Sequence, residues 1–141
     1  MTGGVPYCRP DAHSYNENVS TAHQRISAFE RAWNTSNDAE RLEILADACS
    51  PGAVFVSPYG SSTGLDTFSR GIGEFRHQFP EAVVTFGTVE DHFGFIRVGW
   101  RTSWRDGRDD LVGEDLARTA PDGRLEFVAS FNGTAAIPDP A

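Results

Sequence analysis

Two adjacent acids, Glu114 and Asp115, lie in a stretch that reads as a strand from Asp110 to Thr119. Side chains alternate across a strand, so the two carboxylates must point to opposite faces. Leu111, Gly113, Asp115 and Ala117 share one face; Val112, Glu114, Leu116 and Arg118 share the other. The set ending in Arg118 suits solvent or a partner, which leaves Asp115, with its small and apolar companions, as the inward acid. A carboxyl withdrawn into apolar surroundings loses solvation of its charged form, and its pKa climbs toward neutrality, where acid/base work is done. The plainer alternative is an Asp115 that hydrogen-bonds a neighbouring strand and does nothing else. His92, at the start of a hairpin, is a second candidate, because an imidazole titrates near neutral pH. Its alternative is a surface histidine pairing with Asp91 or Glu90. Tyr59 is a third: its phenol can donate to a carbonyl oxygen, or it can simply cap the core at a rim.

Other chemistries find little. His77 falls off the apolar stripe of its helix, and His13 and His23 lie in or near the N-terminal segment. No two histidines stand at a metal-ligand spacing beside carboxylates, so no metal and no cofactor is expected. Ser57 is a weak hydroxyl candidate, and a serine hydrolase elbow is missing. Gly71-Ile72-Gly73 falls inside a helical pattern, the wrong context for a dinucleotide loop. The aromatic residues Trp33, Phe68, Phe75, Trp100, Trp104 and Phe127 are candidate walls for a flat, hydrophobic ligand.

Three helices and a run of strands must position these groups. Thr21 to Asn34 carries Ala22, Ile26, Phe29 and Trp33 at helical spacing. Asn37, with Glu40 three residues on, caps a second helix whose apolar side is Leu42, Leu45, Ala46 and Cys49. Ala53 to Val56 is a short strand. Leu65, Phe68, Ile72, Phe75 and Phe79 stripe a third helix, ended by Pro80. Strands follow over 82–91, 93–105, 110–119 and 124–132, joined by turns at Phe93-Gly94, Asp106-Gly107 and Asp122-Gly123. In the second of them Ile96, Val98, Trp100, Thr102 and Trp104 face inward, and Arg97, Arg101 and Arg105 outward. Helices followed by an antiparallel meander predict an α+β fold. Residues 1–20 read as an irregular N-terminal arm, 21–132 as the domain and 133–141 as a flexible tail.

The 141 residues suit one such domain. The net charge is −8, and every one of the 12 basic residues is arginine. An acidic chain with no basic cluster is a poor nucleic-acid ligand. No apolar run approaches the roughly 20 residues of a membrane span, and the first 20 residues lack a secretory signal. A cytoplasmic location is expected. Cys8 and Cys49 make neither a disulfide framework nor a zinc site.

The order of elements resembles the SnoaL-like group of the nuclear transport factor 2-like fold. The likeness runs from about Ile26 to Phe131. It rests on Ala32-Trp33-Asn34, on Val54 through Gly60 with the Thr63-Gly64 step, and on Phe79-Pro80 before a strand. His92 through Arg97 to Trp100, Gly113-Glu114-Asp115, and Asp122 through Leu125 to Phe131 complete it. The resemblance implies a cone-shaped barrel: a curved antiparallel sheet wrapped around the three helices, enclosing an apolar pocket. It also implies a homodimer through the outer face of the sheet, for which Val112 and Leu116 supply apolar surface. In similar cyclases a pocket aspartate in a Gly-x-Asp works as acid/base, and Asp115 matches that position. The implied function is a cofactor-free cyclase or isomerase acting on a hydrophobic carbonyl compound, polyketide-like or aromatic, with His92 or Tyr59 on the enolate oxygen. A non-catalytic ligand-binding or assembly domain is the alternative. Epoxide hydrolysis comes third, because Asp115 lacks an inward arginine two residues away on its strand.

Overall fold

The structure, a computed structural model, describes residues 12–140, with side chains from Thr21 onward. The helices are α1 (Ala12–Trp33), α2 (Asp38–Ala48) and α3 (Leu65–Gln78). The strands are β1 (Cys49–Ser57), β2 (Gly60–Thr63), β3 (Val83–His92), β4 (Phe95–Ser103), β5 (Leu111–Thr119) and β6 (Leu125–Asn132). The helix α1 begins at Ala12, so residues 12–20, expected in an irregular arm, continue the helix. The rest of that arm, residues 1–11 with Cys8, lies outside the described residues. Gly133 to Pro140 carries no helix or strand.

Local chemistry accounts for most boundaries. The Asn37 side chain accepts the amide of Glu40 at 2.8 Å, which satisfies one of the free donors at the start of α2. Phe93 (φ 52°) and Gly94 (φ 87°) both take left-handed backbone, the conformation a two-residue hairpin turn needs, and β3 folds back on β4. In α2 the buried face is Arg41, Leu45 and Ala48, while Ala46 is exposed. Arg41 is tolerated inside because its guanidinium donates to Ser69 Oγ and to the carbonyls of Thr35 and Ser36, and pairs with Asp38 at 2.6 Å.

The six strands form one sheet in the order β2-β1-β6-β5-β4-β3. The meander β3 to β6 is antiparallel throughout. Two features depart from expectation. A short strand β2 pairs with β1, and β1 pairs with β6 in parallel, so the sheet is mostly rather than wholly antiparallel. The sheet also stays open, with β2 and β3 at its edges, so it is a curved sheet around helices and not a closed barrel. Register shifts between Cys49 and Val54, Phe86 and Val89, and Arg118 and Thr119 bend it, as bulges do. The β3 edge is covered by α1. Glu30 accepts the amide of Phe86 at 2.7 Å, and Asn34 bonds both the amide and the carbonyl of Val84. The concave face holds the core: Ile26, Phe29, Leu45, Phe55, Ile72, Val98, Leu125 and Val128 pack together.

Candidate functional site

The core does not fill the concave face. Between α1, α3 and the sheet lies a cavity of about 840 Å³. Its walls are aromatic. Phe29, Phe55 and Phe68 lie with ring planes within 2–7° of one another, and Phe55 stacks on Phe68 at 3.7 Å. Trp33 meets Phe68 and Phe75 edge-on. These rings stack on one another and give the cavity an aromatic wall suited to an apolar body. At one end Trp104 packs on Phe79, and the Arg108 guanidinium lies 4.5 Å above the Trp104 ring.

Asp115 lines this cavity and is 5% exposed. Strand β5 carries it inward, and register places Val98 on one side of it and Ser130 on the other. Burial pushes its carboxyl up from 3.8 to about 6, while Ser130 and Trp100, lying beside it, favour the charged form and limit the rise. Asp115 Oδ1 and Trp100 Nε1 are both buried with no hydrogen-bond partner in the protein. A carboxyl near pH 6 in an apolar chamber can both take and give a proton under ordinary conditions.

The other expected residues divide. Tyr59 sits at the rim, 79% exposed, in the turn between β1 and β2. Its hydroxyl accepts from Asn132 Nδ2 at 2.9 Å. Trp33, Phe68, Phe75, Trp100 and Trp104 all line the cavity. His92 and Phe127 are not among its walls. His92 is exposed at the end of β3, in the hairpin beyond the wall, and stands beside Asp91. Phe127 is carried to the convex side, because Val128, Ser130 and Asn132 are the residues of β6 that turn inward. Ser130 and Asn132 were missed in the sequence; their signal is register, since Ser130 is the direct partner of Asp115 and Asn132 of Gly113.

The cavity's other ionisable side chains, Arg70 and Glu74 of α3, stand exposed at the mouth. Glu30 is committed to the Phe86 amide and Asp66 is exposed, so neither supplies a second buried carboxyl. Among the described residues no three His, Cys, Asp or Glu side chains converge as metal ligands would. Cys49 is buried, which pushes its thiol up to about 12 and leaves it a poor nucleophile.

No family model and no curated protein matches the sequence. Solved structures do match. A candidate isomerase of the SnoaL-like family from Agrobacterium tumefaciens aligns over 82% of this chain and 99% of its own, at 24% identity and a TM-score of 0.74. The chain shares the fold of that protein. Two further structures share that fold. One is a SnoaL-like polyketide cyclase candidate from Jannaschia, at 17% identity, covering 83% of this chain and 85% of its own, with a TM-score of 0.64. The other is a ketosteroid isomerase candidate from Kribbella flavida, at 17% identity, covering 88% and 86%, with a TM-score of 0.63. Among the described residues no helix is long and apolar enough to cross a membrane.

Proposed function

We propose that this protein is a cofactor-free enzyme that moves a proton next to the carbonyl of a flat, hydrophobic substrate, in the manner of an isomerase or cyclase. The observation that carries this is Asp115, the one buried carboxyl among the described residues, at the wall of an open aromatic cavity. Asp115 removes a proton from the carbon α to the carbonyl and returns it at another position. The aromatic wall supplies the binding energy and excludes water, which keeps the acid's pKa high. Tyr59, exposed beside Asn132, serves the mouth rather than the reacting atoms. The names of the Agrobacterium, Jannaschia and Kribbella proteins support the same class of reaction. The test is deuterium exchange α to the carbonyl of 2-tetralone, followed by NMR. The native protein should catalyse it and Asp115→Asn should not; equal exchange by both would end the proton-shuttle reading.

A second reading, ligand binding without turnover, is favoured because among the described residues no second acid is buried and His92 does not line the cavity. Saturable binding of tetralone with no exchange would select it. Epoxide hydrolysis gains no support, since no arginine contributes to the electrostatics of Asp115. We further propose a homodimer through the convex face, where Val112, Leu116 and Phe131 are exposed together on neighbouring strands. Sedimentation at micromolar concentration should give twice the 15.4 kDa chain mass; a monomer alone would refute it.

A further inference from the structure

Asp115 Oδ1 and Trp100 Nε1, the two unpartnered polar atoms of the cavity wall, are neighbours. Strands β4 and β5 pair Val98 with Asp115 and Trp100 with Gly113. Trp100 is thus diagonal to Asp115 on the same face, a backbone separation of about 7–8 Å that a long aromatic side chain spans. Gly113 makes the crossing possible. A Cβ there would lie 2.3 Å from Trp100 Cζ2 and 2.6 Å from Cε2, the edge of the indole that carries Nε1. The ring therefore rests on bare backbone of β5. An indole N–H donates only, and a carboxylate oxygen accepts. Both atoms are covered, so neither is open to a ligand in this structure.

In this structure the two atoms stop short of hydrogen-bond geometry. We propose that Trp100 is a positioning residue for Asp115: its N–H closes on Oδ1, so that Oδ2 is the oxygen that faces the cavity and exchanges the proton. The role rests on the acid/base reading for its consequence in turnover, but the contact itself is testable without any substrate. Few other groups could mimic the signal. The flanking strands offer Val98 and Ser130, which do not titrate in this range. Glu30 of α1 is bonded to the Phe86 amide. Arg70 and Glu74 of α3 and Tyr59 at the rim are exposed to solvent, which screens them.

The experiment is a pH titration of the whole protein, labelled with nitrogen-15 and carboxyl carbon-13, read by NMR. Three indole N–H signals are expected, from Trp33, Trp100 and Trp104. That of Trp100, assigned by its loss in Trp100→Phe, should titrate with the same midpoint as the Asp115 carboxyl, and should stop titrating in Asp115→Asn. In Trp100→Phe the Asp115 midpoint should rise by roughly half to one pH unit, because a donor to the ionised form is gone. A Trp100 signal that stays flat through the Asp115 titration overturns the proposal, as does an Asp115 midpoint unmoved in Trp100→Phe. If Trp100→Phe does not fold, the native and Asp115→Asn titrations still decide. Failure here leaves deuterium exchange by Asp115 untouched, and failure of exchange leaves this contact standing.

Discussion

Glu114 and Asp115 are joined by one peptide bond and live in different solvents. Asp115 faces aromatic walls, is buried, and has one oxygen without a partner. Glu114 faces outward with the convex side of the sheet, where arginine and acid side chains are paired in exposed positions: Arg97 with Glu90 at 2.7 Å, Arg118 with Glu126 at 2.7 Å and Arg101 with Asp110 at 3.0 Å. Charge on the convex face is screened by water and by its partners. On the concave face the Asp115 carboxyl is withdrawn from water and has no arginine paired with it, and its protonation is raised into the range where it can react. The difference comes from parity: neighbouring side chains of one strand point to opposite faces of the sheet.

The largest contrast should be in turnover. Asp115→Asn should lower α-proton exchange by about 10²–10⁴-fold, while Glu114→Gln should stay within about twofold. Equal losses in the two variants, measured by the same NMR assay, would erase the distinction between the faces. Stability should show a contrast nearly as large. Leu125 is fully buried, and Leu125→Ala should cost about 2–5 kcal/mol in urea unfolding. Leu116 is 44% exposed, and in the monomer Leu116→Ala should fall within about 0.5 kcal/mol.

The third contrast is with pH. Asp115 holds its proton more tightly folded, at about 6, than unfolded, at 3.8. Its contribution therefore favours the fold at low pH and is lost as pH rises through 6; above that the buried charge is a constant cost. Relative to the native protein, Asp115→Asn should gain about 2 kcal/mol between pH 4 and pH 7.5, and Glu114→Gln should gain almost nothing over the same range. Parallel stability curves for native protein and Asp115→Asn would show that the carboxyl is solvated.

Local chemistry was the legible part of this molecule. The Asn37 cap, the stripe of Phe68, Ile72 and Phe75, the hairpin turns and the inward parity of Asp115 each depend on residues close in sequence. Non-local pairing was not legible. Gly60-Ser61-Ser62-Thr63 lacks the apolar alternation of a strand and becomes β2 only because β1 is there to pair with it. The parallel contact of β1 with β6 joins residues some seventy positions apart and has no local signature. Phe127 was misplaced for a related reason: the register shift near Arg118 and Thr119 helps decide which residues of β6 turn inward. His92 is a candidate for the site by its chemistry, but β3 runs on to His92 and carries it past the cavity into the exposed hairpin. Trp100 lines the cavity, but its reach toward Asp115 needs both the strand register and the missing side chain of Gly113.

The smallest effect tests the convex face itself. Arg118 and Glu126 are 55% and 32% exposed in the single chain, so a double-mutant cycle on them, run where the protein is monomeric, should give a coupling of about 0.5 kcal/mol or less. Added salt should weaken it, since screening acts on exposed charges. At concentrations where a second copy covers this face, the same pair leaves water, and its coupling should grow and lose its salt dependence. A weak, salt-sensitive coupling at every concentration would mean that the arginine rows stay in solvent, and that any dimer uses another surface. A coupling already strong in the monomer would mean that the convex face is drier than its exposure indicates, and the contrast drawn from Glu114 and Asp115 would have to rest on the cavity alone.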